Sequence, residues 1–195
     1  MPEEHPMAHA ERPLSLPART LNDQDPAVAE VLAKAKAQTG MIPNMYARMA
    51  NAPGLLETYL NGYNAFRSGS GFTPAEQETV LLTISRVNGC TYCVAAHSTL
   101  ADMNKVPAEV TDAIRDGKPL PDARLDALST FTAAMVEGRG LPTADQVDAF
   151  LAAGFAETDI LQVVLAVSVK TISNYTNHLF HTPVDKMFAD RAWQD

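Results

Sequence analysis

Cys90 and Cys93 are the only thiols in this chain. They stand three residues apart in NGCTYCVAAH, with His97 four residues further on. On a helix these are positions i, i+3 and i+7, which share one stripe. Three chemistries compete for such a set: a metal knuckle, a redox dithiol, and small apolar packing groups that happen to be cysteines. A thiol at a helix start meets free backbone N–H groups and the positive end of the helix dipole, and both favour the thiolate. That environment lowers a thiol pKa from about 8.5 toward about 3.5 to 7.5, enough to make the thiolate the main form at neutral pH. Cys90 opens such a helix. Cys93 lies one turn before His97, whose imidazole can take its proton.

A carboxylate upstream extends the set. If the segments on either side of Asn88-Gly89 form a helix hairpin, Glu78 and His97 lie at matching distances from the turn and come side by side. A carboxylate there orients an imidazole and raises its basicity. The blander reading of Glu78 is a solvated residue in a first or second helical turn, where the dipole favours it. Zinc competes for the thiols, since Cys90, Cys93 and His97 offer three ligands and His178 or His181 a fourth. Against zinc, such knuckles present C-x-x-C from a turn, and no second ligand pair of familiar spacing follows.

The elements that must hold these residues read as helices almost throughout. Asp25 caps DPAVAEVLAKAKAQTG, with Pro26 first inside and Gly40 just past the end. After MIPN, a helix pair is expected over 45–66, broken by SGSG at 68–71. TPAE at 73–76 has capping-box form, and Val80, Leu81, Ile84 and Val87 follow at helical spacing. Asn88-Gly89 ends that helix, Pro107 and Asp122 open further ones, and a cap at Thr143 opens one that stops at Gly154. A long apolar helix is expected from about Glu157 to Tyr175. VLLTIS at 80–85 and VVLAVS at 163–168 echo each other faintly, but the second copy has no cysteine. No segment alternates with period two, so the fold class is all-α, with about eight to ten helices.

Residues 1–19 carry Pro2, Pro6, Pro13 and Pro17 and read as a flexible arm, with His5 and His9 as solvated tail residues; 20–195 read as a single domain. A hydrophobic content of 46% with 19% charged residues fits a folded chain with an ample core. The net charge of −8 argues against nucleic acid and gives no reason to expect an anionic membrane surface. ILQVVLAVSV from Ile160 is too short to span a bilayer, and the first twenty residues have no signal-like apolar stretch. One C-x-x-C excludes a disulfide framework, so a reducing, cytoplasmic setting is expected.

The pattern E-x11-C-x-x-C-x3-H, here Glu78, Cys90, Cys93 and His97, resembles the alkylhydroperoxidase D (AhpD)-like branch of the carboxymuconolactone decarboxylase superfamily. GMIPNMYARMANAPGLLETYL upstream and AAGFAETDILQVVLAVSVKTISNYTNHLFHTPVD downstream are similar to that branch's peroxidase-related proteins, so the resemblance covers nearly the whole chain. It implies an AhpD-like helical fold, a homotrimer or homohexamer, and a cofactor-free thiol peroxidase acting on hydroperoxides. By that resemblance Cys93 attacks the peroxide, Cys90 resolves, Glu78 and His97 relay the proton, and an external dithiol regenerates the pair. The founding peroxidase has a histidine directly before the second cysteine. Tyr92 stands there in this chain, so neither the same relay nor the same lipoamide-linked reductant is implied. The decarboxylases that name the superfamily lack the cysteine pair, which disfavours lactone decarboxylation. A general dithiol–disulfide oxidoreductase and a non-catalytic redox-sensing or metal-binding module are the alternatives. His178 and His181 are placed either beside the site or as ordinary surface or interface residues.

Overall fold

The computed structural model describes residues 10–194. Nine α-helices run in chain order among them: α1 (Pro26–Thr39), α2 (Asn44–Met49), α3 (Pro53–Gly69), α4 (Pro74–Val87), α5 (Thr91–Met103), α6 (Ala108–Asp116), α7 (Ala123–Glu137), α8 (Ala144–Ala152) and α9 (Glu157–Phe180). A 3₁₀ segment, Lys186–Arg191, follows, and no strand occurs among the described residues. The expected fold class holds. The pair anticipated over 45–66 is α2 and α3, and the last helix runs five residues beyond Tyr175.

Helix starts follow the capping chemistry of the sequence. The Asp25 carboxylate accepts from the Ala27 backbone N–H at 2.9 Å. Thr73 and Glu76 close a reciprocal box, with Glu76 Oε2 accepting from the Thr73 N–H at 2.8 Å. Arg124 of α7 donates to the other oxygen of Glu76 at 2.9 Å, which ties the start of α4 to a neighbour. Fixing that start fixes the helix phase, and so which residues point inward.

Helix α4 is buried on nearly every side, from Glu76 to Ser85, as expected of a helix that others surround. On one side it packs with α3, α7, α8 and α9 through Phe66, Leu81, Phe131, Phe150 and Val163. On another, Leu82 meets Val94, Val110 and Ile114 of α5 and α6. A separate core joins α1, α2 and α3 to the start of α5 and to Val169 of α9, and the thiols belong to it. Helices α3 and α9 approach closely at Gly62, where a Cβ would come within 2.8 Å of Val169 Cγ2. A side chain there would push α9 away from the site described below.

Within 1–19, residues 1–9, with His5 and His9, lie outside the described residues. Residues 10–19 run beside α2 and the end of α9. The Leu14 N–H donates to the Leu179 carbonyl at 2.8 Å and the Arg19 N–H to the Ala47 carbonyl at 2.9 Å. Among the described residues no single helix is long and apolar enough to cross a membrane.

Candidate active site

The turn between α4 and α5 sets the site. Gly89 adopts φ 63°, a left-handed conformation that glycine takes without strain. The Cys90 N–H then donates back to the Ser85 carbonyl at 2.9 Å, and α5 begins. Asn88 donates to Asn174 Oδ1 at 2.9 Å, joining this turn to α9. Cys90 is the N-cap residue and Cys93 stands in the first turn; both are free thiols and both are buried.

Glu78 and His97 meet across α4 and α5, with Glu78 Oε2 3.1 Å from His97 Nδ1. The other carboxylate oxygen accepts from Arg67 of α3 at 2.7 Å and from Asn104 at 3.1 Å. Arg67 also donates to Tyr63 Oη at 2.6 Å and lies over its ring, 4.9 Å from the centroid. Burial pushes the Glu78 carboxyl up, but His97 and Arg67 outweigh burial and hold it below the usual range. An ionised Glu78 accepts a hydrogen bond from Nδ1–H, which assigns that tautomer and leaves Nε2 as the basic nitrogen. Burial, and then the positive charge of Lys170, lower the His97 pKa to about 4 against the pull of Glu78. The imidazole is therefore neutral at pH 7.

Helix α9 supplies a second set. Asn177 Nδ2 lies 3.3 Å from Cys93 Sγ and 3.8 Å from Cys90 Sγ, and Ser173 Oγ lies 3.9 Å from Cys93 Sγ. Lys170, one turn earlier, is only 1% exposed. A cavity of about 70 Å³ is lined by Cys93, His97, Lys170 and an aromatic wall that includes Tyr46, Tyr59 and Tyr63. Cys90 does not line it.

The two thiols differ in state. Burial drives the Cys90 thiol well above its ordinary range, and the neighbouring Cys93 adds to this. Burial also pushes Cys93 up, but a hydrogen bond from Cys90, the Lys170 charge and the Ser173 hydroxyl together bring it well below. The helix start that favours a thiolate at Cys90 is therefore not what decides the state of that thiol. Enclosure overrides the dipole at Cys90, and the activated position is one turn further in. The His97 ring is also among the groups that lower Cys93, but with the imidazole neutral at pH 7 the Lys170 charge is the larger positive influence.

Tyr92 takes a structural part. Its hydroxyl donates to Asp185, which also accepts from the Asn44 N–H at 3.2 Å, and its ring meets Phe188 edge-on at 6.2 Å. It fastens α5 to α2 and to the C-terminal segment. His178 and His181 are not brought to the thiols: His178 stacks on Tyr175, and His181 ends α9 with Nε2 2.7 Å from the Ala10 carbonyl. Among the described residues no three His, Cys, Asp or Glu side chains gather as metal ligands. Sequence reasoning missed Lys170, Ser173 and Asn177. Their one signal was spacing, since they repeat i, i+3, i+7 along one stripe, and Thr171, Asn174 and Thr176 among them blur it.

Comparison with known proteins agrees with this architecture. Residues 53–117, from the start of α3 to the end of α6, match the model of the carboxymuconolactone decarboxylase family. The match includes Glu78, both cysteines and His97. No curated protein sequence matches the chain. A solved structure from Ralstonia eutropha JMP134, described as an alkylhydroperoxidase AhpD core and uncharacterised peroxidase-related protein, superposes with TM-score 0.76 at 19% identity over 94% of this chain and 95% of its own. A peroxidase-related protein from Silicibacter sp. TM1040 gives 0.72 at 20% identity over 90% and 95%. The debrominase Bmp8, solved as a cysteine-to-alanine variant with 2,3,4-tribromopyrrole, gives 0.73 at 13% identity over 91% and 96%. Residues 53–117 are thus similar to the carboxymuconolactone decarboxylase family, and the fold of the chain is that of the AhpD-like structures.

Proposed function

We propose that this protein is a thiol peroxidase that reduces small hydroperoxides through a Cys90–Cys93 dithiol–disulfide cycle. The observation that carries the reading is that Cys93, and not Cys90, shares a cavity with a carboxylate-oriented imidazole. The Cys93 thiolate attacks the outer peroxide oxygen, the O–O bond breaks, and Cys93 becomes a sulfenic acid while an alkoxide leaves. The alkoxide takes up a proton delivered through His97. A protonated imidazole with so low a pKa is a strong donor, and Glu78 stabilises its brief positive charge. The Cys90 thiol then attacks the Cys93 sulfur, forming the disulfide and releasing water. In total, one thiol, one thiolate, one hydroperoxide and one proton give disulfide, alcohol and water. An external dithiol reduces the disulfide by exchange.

Cavity size bears on the substrate. At about 70 Å³ the cavity is small beside the roughly 300–1,000 Å³ of sites that take drug-sized ligands. That favours hydrogen peroxide or a short alkyl hydroperoxide over a bulky one. The debrominase neighbour makes thiol-dependent dehalogenation the second reading, and the same size disfavours a tribrominated ring. We further propose a cytoplasmic homotrimer or homohexamer. Leu161, Val164, Tyr175 and Leu179 are exposed along α9 and suit a contact between copies. Light scattering reporting the monomer mass at micromolar concentration would remove that part.

The test of the activity is peroxide consumption with a dithiol donor, followed by intact mass. Sustained turnover, with loss of two hydrogens after stoichiometric peroxide, is expected. Oxidation without turnover would make the protein a redox sensor instead.

A further inference from the structure

Lys170 is a buried cation that the cycle above does not use. Its side chain makes no hydrogen bond or ion pair with any described residue, although an ammonium removed from water is costly unless an anion compensates it. The anions of the surrounding elements are mostly committed elsewhere. Glu78 of α4 is held by Arg67 and His97. Asp185 is held by Tyr92 and Asn44. Tyr46, Tyr59 and Tyr63 are pushed up by burial and stay neutral. Cys90 keeps its proton, and His97 carries no negative charge. One group remains: Cys93, which lines the same cavity as Lys170.

Two further α9 side chains meet the same sulfur. Ser173 and Asn177 follow Lys170 at i+3 and i+7 and both reach Cys93 Sγ, at 3.9 and 3.3 Å. The Asn177 amide N–H is a donor suited to a thiolate; the Ser173 hydroxyl donates to the Lys170 carbonyl at 3.1 Å and accepts from the Cys93 thiol, and would turn to donate once the sulfur is ionised.

We propose that Lys170, Ser173 and Asn177 form a thiolate cradle on α9, in which the Lys170 ammonium is the counter-ion that keeps Cys93 ionised. Lys170 is a positioning residue, acting through the sulfur. The cradle also biases the redox equilibrium. Disulfide, two electrons and one proton give one thiol and one thiolate, so oxidation removes the anion that Lys170 faces. The reduced pair is favoured, and an external dithiol finds the disulfide easy to reduce.

The proposal rests on Cys93 as the attacking thiol, but its test needs no peroxide. Cys93 alkylation by iodoacetamide is followed against pH in wild type, Lys170→Met and Lys170→Arg, with the modified cysteine located by mass. The wild-type midpoint is expected well below the ordinary thiol range, and Lys170→Met should move it up by at least one pH unit. Lys170→Arg, which keeps the charge, should stay nearer wild type. Overlapping wild-type and Met profiles, or equal displacement by Met and Arg, would overturn the cradle. Should the variants fail to fold, thiolate absorbance of reduced wild type minus Cys93→Ser decides: one thiolate at pH 7 supports the proposal, and none overturns it. In equilibrium with dithiothreitol, Lys170→Met should shift tenfold or more toward disulfide, about 30 mV in reduction potential. A protein that consumes no peroxide yet shows the alkylation shift would refute the peroxidase reading and leave the cradle standing.

Discussion

Helices α5 and α9 each present three side chains at i, i+3 and i+7, and the two stripes meet at the Cys93 sulfur. On α5 the stripe is Cys90, Cys93 and His97; on α9 it is Lys170, Ser173 and Asn177. The first holds the reacting atoms and a neutral base. The second holds a fixed charge and hydrogen-bond donors. The two halves of α9 also differ. The N-terminal half buries Val163 and Ala166 in the ordinary way, whereas the C-terminal half buries Lys170, Ser173, Asn174 and Asn177 while Tyr175 and Leu179 face outward. Burying polar groups is unfavourable unless something inside uses them. The inversion marks the C-terminal half of α9 as part of the site rather than as core.

The largest effect that separates the stripes is loss of a reacting atom. Cys93→Ser should abolish peroxide consumption, whereas Cys90→Ser should allow one stoichiometric oxidation and no turnover. Stopped-flow peroxide decay and an end-point assay distinguish them. A Cys93→Ser enzyme that still turns over would dissolve the division of roles.

Glu78→Gln comes next. It keeps size and hydrogen bonding but removes the charge that orients and stabilises His97. Proton relays contribute about 10²–10⁴ in rate, and an orienting carboxylate about tenfold of that. Peroxide turnover should fall by about that factor, while the pH profile of Cys93 alkylation, set by Lys170, stays in place. Unchanged turnover would return Glu78 to a packing role.

The α5 stripe also predicts a pH dependence of stability. His97 titrates near 4 when folded against an ordinary value of 6.5, so the unfolded chain binds more protons in that interval. Stability should be at its full value above pH 6.5 and fall as pH drops toward 4. The gap corresponds to about 3 kcal/mol at its limit. Below that interval the Glu78 carboxylate, also held below its ordinary range, adds a further loss. Urea midpoints at pH 7.5 and 4.5 check this, and His97→Asn should flatten the difference. An unchanged slope in that variant would place the acid sensitivity elsewhere.

A smaller effect is expected from Tyr92→Phe. It removes a hydrogen bond to a buried carboxylate, which costs about 1.5–3 kcal/mol of stability, and should change peroxide turnover little. Loss of turnover at full stability would make Tyr92 more than a fastener.

The contrast between the stripes also explains what the sequence revealed. Asp25, Thr73 with Glu76, and Thr143 announce helix starts because capping is local chemistry. The α5 set stood out because cysteine and histidine are rare here and clustered. The α9 set did not, because lysine, serine and asparagine are commonplace and become informative only once burial is known. The state of Cys90 is not legible in the sequence for a related reason. Helix position is visible in sequence, but enclosure by Met45, Asn177 and the α1–α3 core is a tertiary fact. Tyr92 could be flagged as a departure, but its bond to Asp185 spans 93 residues and no local pattern announces it.

The central claim is that Cys93 is the thiol that meets peroxide. The direct measurement is sulfenic-acid trapping after one equivalent of hydrogen peroxide, with Cys90→Ser and Cys93→Ser compared by peptide mass. The account predicts rapid, near-complete trapping at Cys93 in Cys90→Ser and almost none at Cys90 in Cys93→Ser. Trapping at Cys90 in Cys93→Ser, with Cys93 inert in the other variant, would contradict it.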